Sequence, residues 1–99
     1  MIENLSVHAA RRCQQRGISQ DEIERVIAQH DIDHEIGGDC RALRISRAAM
    51  RAGKIDCGAI QHRERLTNLI VVWSDRSSQV VTAFHGHNRR VMRRYLGRG

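Results

Sequence analysis

The chain has 99 residues, 40% of them apolar and 28% charged, with a formal net charge of +6. That is the size of a single domain, residues 1–99, and the composition excludes a wholly disordered chain. Its longest uninterrupted apolar run, Leu69 to Trp73, is far too short for a membrane span, and Met1-Ile2-Glu3-Asn4 lacks the basic and apolar regions of a signal peptide. Three scattered cysteines make no disulfide framework, so a reducing, cytoplasmic setting is expected.

Ser6 caps a first helix that runs to about Gln15, and Gly17 supplies the left-handed stop. Ser19-Gln20-Asp21-Glu22 is a capping box that opens a second helix, running to about His30. Ile23, Val26, Ile27 and His30 form its buried stripe. Ile32, His34 and Ile36 alternate with Asp33 and Glu35 as an edge strand does. Gly37-Gly38-Asp39 turns the chain into a strand from Cys40 to Ile45, with Arg41, Leu43 and Ile45 on one face. Ser46 to about Arg65 reads as helix in pieces, broken near Gly53 and Gly58. Leu66 to Trp73 reads as a central strand, apolar on both faces, and Gln79 to about His85 as its hairpin partner. The tail from about Asn88 to Leu96 reads as a basic helix. Together these predict an α+β domain: two N-terminal helices on a small antiparallel sheet of about four strands, with a basic C-terminal helix.

The charge is unevenly placed. Residues 1–40 carry four arginines and eight acids, a net of −4; residues 41–99 carry thirteen basic residues and three acids, a net of +10. All but one of the basic residues are arginine, whose planar fork suits phosphate. The asymmetry predicts an anionic partner for the second half, or two halves of the fold that neutralise each other.

His8, Arg12 and Arg16 stand at i, i+4 and i+8 on one drifting face of the first helix. A histidine beside two guanidiniums can handle a phosphate, the arginines holding the anion and the imidazole moving a proton. A solvated polar face is the competing reading. Phe84-His85-Gly86-His87-Asn88-Arg89-Arg90 closes the last strand with two histidines and two arginines around a glycine. That pattern fits a phosphodiester site or a frayed strand end. Zinc would need a third and a fourth ligand that the scattered cysteines do not offer, so neither metal nor cofactor is expected. Arg41, Arg44, Arg47 and Arg51 read as an electrostatic rim. Cys13 reads as core. Only three aromatic residues are present, which argues against base stacking on an aromatic sheet and leaves phosphate contacts dominant if RNA binds.

The segment from Ser6 to Ser19 resembles the opening of a bacterial family, domain-of-unknown-function family 4258, placed near the RelE-like ribonuclease toxins. Its pattern falls here on His8, Ala9, Arg12, Arg16, Gly17, Ile18 and Ser19. Leu69 to Val72 and Val80 to Phe84 resemble the family's closing hairpin. The resemblance implies a RelE-like α+β fold and, by superfamily analogy, metal-independent RNA cleavage.

The expected function is therefore a small metal-independent endoribonuclease, of the kind that serves as toxin in a toxin–antitoxin pair. His8, Arg12, Arg16 and His85 are the expected catalytic groups. Arg44, His87, Arg89, Arg90, Arg93 and Arg94 are the expected RNA-binding groups. RNA, free or on the ribosome, and an antitoxin protein are the expected partners. The alternative is a non-catalytic module that binds nucleic acid or a partner protein through its C-terminal arginines.

Overall fold

The computed structural model describes residues 7–58 and 63–86, the side chains of Val7 and His8 excepted. The expected Ser6 cap and the expected basic C-terminal helix lie outside the described residues. Helix α1 spans Val7–Gln15 and α2 spans Gln20–Gln29. Between them Gly17 adopts φ +71°, and the Gly17 and Ile18 amides donate to the carbonyls of Gln14 and Cys13 at 3.1 and 2.9 Å. This double closure ends a helix on a left-handed residue that glycine adopts without strain. Ile18 then tucks into the core.

Ser19 caps α2 as its sequence predicts. The Glu22 amide donates to Ser19 Oγ at 3.1 Å, and the Ser19 amide donates to Glu22 Oε1 at 3.2 Å. Removing such a cap costs about 1 kcal/mol. Ile23 and Val26 are fully buried, and Ile27 packs half-buried beside them.

Strands β1 (Ile32–Gly37), β2 (Cys40–Arg44), β3 (Leu69–Ser74) and β4 (Gln79–His85) form one antiparallel sheet in chain order. Gly37, Gly38 and Asp39 all have positive φ in the tight β1–β2 turn. Helices α3 (Arg47–Arg51) and α4 (Arg63–Asn68) lie in the connection from β2 to β3. The central strand begins at Leu69 rather than Leu66, because Leu66 to Asn68 complete α4. Leu66 is buried all the same, so an apolar run shared by a helix end and a strand start carries no sign of the boundary.

Strand alternation divides the core. Leu43, Leu69, Val71 and Ala83 face α1, α2 and α4, where they pack with Cys13, Ile23, Val26 and Leu66. Ala42, Ile70, Val72 and Phe84 form a second buried cluster on the opposite face. Each large aliphatic side chain so buried contributes about 1.5–3 kcal/mol. No helix among the described residues is long and apolar enough to cross a membrane.

Candidate functional site

The α1–α2 turn, α4 and the end of β4 meet at one corner of the helical face. The turn geometry decides what stands there. Because Ser19 caps α2, Glu22 takes the third helical position and folds back over the turn, leaving only 6% of its surface exposed. Its two oxygens divide the work. Oε1 accepts from the Ser19 amide and hydroxyl, at 3.2 and 3.1 Å. Oε2 faces Arg65 Nε at 3.4 Å and His85 Nε2 at 4.0 Å. Arg65 also donates from Nη2 to the Gly17 carbonyl at 2.9 Å, which ties α4 to the turn.

His85 ends β4 opposite Leu69, and its side chain is 18% exposed. Its Nε2 is buried where it faces the Glu22 carboxylate, and only the rest of the ring reaches the surface. A carboxylate in that position steadies an imidazole that takes up a proton. Arg16 reaches β4 from the end of α1, donating from Nη1 to Thr82 Oγ1 at 2.9 Å and to the Ala83 carbonyl at 2.8 Å. It supplies a donor along the strand edge where no fifth strand pairs among the described residues. Burial pushes the neighbouring Cys13 thiol up, and the Arg16 charge and an Ala83 backbone hydrogen bond pull against that rise only in part. Cys13 is core, in keeping with its place in the sequence.

Of the residues expected to act together, Arg16 and His85 are brought to one strand end. Arg12 lies one turn before Arg16 and is exposed. Arg44 goes elsewhere: it sits on β2, on the face opposite Leu43, and its charge lies close to Asp31. The Arg44 Nε is buried with no hydrogen-bond partner among the described residues. The side chain of His8, and all of His87, Arg89, Arg90, Arg93 and Arg94, lie outside the described residues.

Glu22 and Arg65 escape a reading of the sequence alone. The capping role accounts fully for Glu22, and nothing in a linear pattern says that its second oxygen turns toward residues 65 and 85. Arg65 sits in a segment with no motif. On the far side of α4, a groove against α3 is lined by Arg47, Met50, Arg51, Glu64, Thr67 and Asn68. A second cleft, at the α1–α2 turn, is lined by neutral side chains from Ala10 to Ile23. No group of three or more histidine, cysteine or acidic side chains with metal-holding geometry occurs among the described residues.

Comparison with curated proteins and with solved structures finds no match to the chain. The family comparison does. The sequence model of a family described as "Domain of unknown function (DUF4258)" matches residues 5–91, which take in both helices of the corner, all four strands and His85; the chain belongs to that family.

Proposed function

We propose that this corner is the site of a small metal-independent endoribonuclease. The observation that carries the reading is the partly exposed His85 imidazole set 4.0 Å from the buried Glu22 carboxylate, with Arg65 on the same carboxylate and Arg16 bound to Thr82 and Ala83 earlier on β4. In this reading His85 takes the ribose 2′-OH proton, and the freed oxygen attacks the adjacent phosphorus. The P–O5′ bond breaks, leaving a 2′,3′-cyclic phosphate, and a second histidine, His8 or His87, returns a proton to the leaving oxygen. Glu22 holds the imidazole and balances the imidazolium that forms. Arginines stabilise the charge that builds on the phosphoryl oxygens, which is why no metal is called for. A toxin of this kind would be restrained by an antitoxin and would meet its RNA free or on the ribosome.

A second reading is favoured by how the arginines are used. Arg16 is hydrogen-bonded to β4, and Arg65 to Gly17 and Glu22, so both already hold the fold together. A non-catalytic module that binds nucleic acid through the C-terminal arginines would need no more than that.

The test is incubation of the purified protein with mixed RNA in excess EDTA. Cleavage to products ending in 2′,3′-cyclic phosphate is expected. Retention of RNA without cleavage selects the binding module instead.

A further inference from the structure

Both faces of the sheet are apolar, and only one of them has a described cover. Helices α1, α2, α3 and α4 all pack with the cluster that holds Leu43, Leu69, Val71 and Ala83. The other face carries Ala42 on β2, Ile70 and Val72 on β3 and Phe84 on β4, flanked by Ile36 and Cys40, and none of these lies on a described helix. An antiparallel sheet face left to water is polar. This one is apolar, and Ala42, Ile70 and Val72 are only 0, 1 and 3% exposed. Strand side chains stand upright from the sheet, so neighbours in the same layer do not close over a central alanine. A second layer must do so. The burial is reached within one chain, so the layer belongs to the chain itself.

Three stretches lie outside the described residues: 1–6, 59–62 and 87–99. Residues 59–62 join Gly58, beside Arg25 of α2, to Arg63 at the head of α4. A connection of that length spans at most about 18 Å, too little to round the sheet and return. Residues 1–6 lead into α1 on the helical side and offer little beyond Ile2 and Leu5. Residues 87–99 follow directly on β4, the strand that carries Phe84. Their sequence has the pattern of a covering helix. Asn88 is a capping residue type and Gly97 a stop. Between them Val91, Met92, Tyr95 and Leu96 stand at i, i+1, i+4 and i+5. Arg89, Arg90, Arg93 and Arg94 repeat the same spacing, which puts the two sets on opposite faces of a helix. A helix over residues 89–96 is about 12 Å long, enough to cross from β4 over β3 to β2 at about 4.8 Å per strand. Those three strands hold the buried cluster. Charge sets the orientation: Arg44, half-buried on this same face, repels a guanidinium stripe, so the arginines of the cover turn outward.

We infer that residues 88–97 are the second cover of the sheet. Val91, Met92, Tyr95 and Leu96 seal the face of Ala42, Ile70, Val72 and Phe84, and Arg89, Arg90, Arg93 and Arg94 are held outward as a fixed ridge for a phosphodiester backbone. The cover stands without the RNA reading; only the use of the ridge rests on it.

The test is a nuclear Overhauser experiment on the full chain with labelled methyl groups. Contacts are expected from the Tyr95 ring and the Met92 methyl to the methyl groups of Ile70 and Val72. Contacts from Ile2 or Leu5 in their place, contacts between two differently labelled copies, or no contact at all would overturn the cover. Thiol chemistry gives a second reading. Cys40 is half-buried at the rim of this face, and Cys57 is half-buried on the helical side. Met92→Ser with Tyr95→Ser should speed alkylation of Cys40 about tenfold relative to Cys57, since each buried side chain lost shifts a local opening equilibrium by about that factor or more. An unchanged ratio would again overturn the cover. Replacing Arg89, Arg90, Arg93 and Arg94 with alanine should leave that ratio as in the parent and weaken binding of polyuridylate about tenfold or more. A raised ratio would overturn the outward orientation, and equal binding would overturn the ridge. A protein that shows the contacts and cleaves no RNA would overturn the ribonuclease reading and leave the cover standing.

Discussion

At the scale of single residues, the corner turns on an economy of oxygen atoms. Glu22 Oε1 serves the helix cap and Oε2 serves the site, so one side chain links local folding to the candidate chemistry. The two roles separate experimentally. Glu22→Gln keeps an acceptor for the cap but removes the charge behind His85, so cleavage should fall while the fold remains. Glu22→Ala should lose both, with about 1 kcal/mol or more of stability gone with the cap. His85→Ala should cut cleavage by about 10² to 10⁴, the usual worth of a general base. Initial rates on a fluorogenic RNA, with circular dichroism as the folding control, decide the matter. Full activity in folded His85→Ala would remove this histidine from the mechanism.

At the scale of elements, short helices are held by side chains from distant strands and helices. α3 has only five residues, too few to persist by helix propensity alone. Ser46 caps it, accepting from the Ala49 amide at 3.0 Å. Asp31 in turn fixes Ser46, accepting from its amide at 2.7 Å and from its hydroxyl at 2.5 Å. Those hydrogen bonds from Ser46 hold the Asp31 carboxyl below its ordinary value of 3.8, with the Arg44 charge helping. A carboxyl whose pKa is lower in the folded state stabilises the fold above its unfolded pKa. That stabilisation is lost as the pH falls through the ordinary carboxylate range and on through the lowered folded value. Urea midpoints measured between neutral pH and about pH 2 should therefore fall less steeply with acid in Asp31→Asn than in the parent. Parallel curves would place the acid sensitivity elsewhere. The connection after α3 is pinned in a similar way. Gln29 and Asp56 exchange two hydrogen bonds, at 2.9 and 2.6 Å, and Arg25 reaches the Asp56 carbonyl at 2.8 Å. Gly58, at φ +55°, leaves room for that guanidinium where a Cβ would overlap it.

Over the whole molecule, the charge asymmetry of the sequence has two fates. Part of it is internal. Arg41, Arg65 and Arg76 of the basic half pair with Asp33, Glu22 and Asp39 of the acidic half, and these mostly exposed pairs contribute little each to stability. The rest, with Arg47 and Arg51 among the described residues, is open to an anionic partner. RNA binding should therefore weaken steeply with salt. Replacing Arg89, Arg90, Arg93 and Arg94 with alanine should lower the log–log slope by roughly 0.7 to 0.9 for each phosphate no longer neutralised, with little change in sequence preference. Replacing the internally paired Arg41 and Arg76 should leave the slope nearly as it was. Filter binding across a salt series reads both, and an unchanged slope in the tail variant would assign the tail to a partner protein.

Local rules alone are enough for much of this protein. The Gly17 stop, the Ser19 capping box, the Gly37-Gly38-Asp39 turn and the faces of β2 follow from chemistry within a few residues, and each is found where the sequence places it. Family membership is legible too, from the spacing of His8, Arg12, Arg16 and Gly17. The boundary between α4 and β3 is not, because Leu66 is buried in either conformation. Nor is the candidate site. Glu22 and Arg65 stand 43 residues apart in the chain, and Arg16 and Thr82 stand 66 apart. No periodicity reports on pairs so distant. They meet because α1 and α2 pack on one face of a four-stranded sheet whose last strand ends beside their turn, and Arg44 is kept from them because alternation along β2 sends its side chain to the other face. Only the packed sheet could decide that.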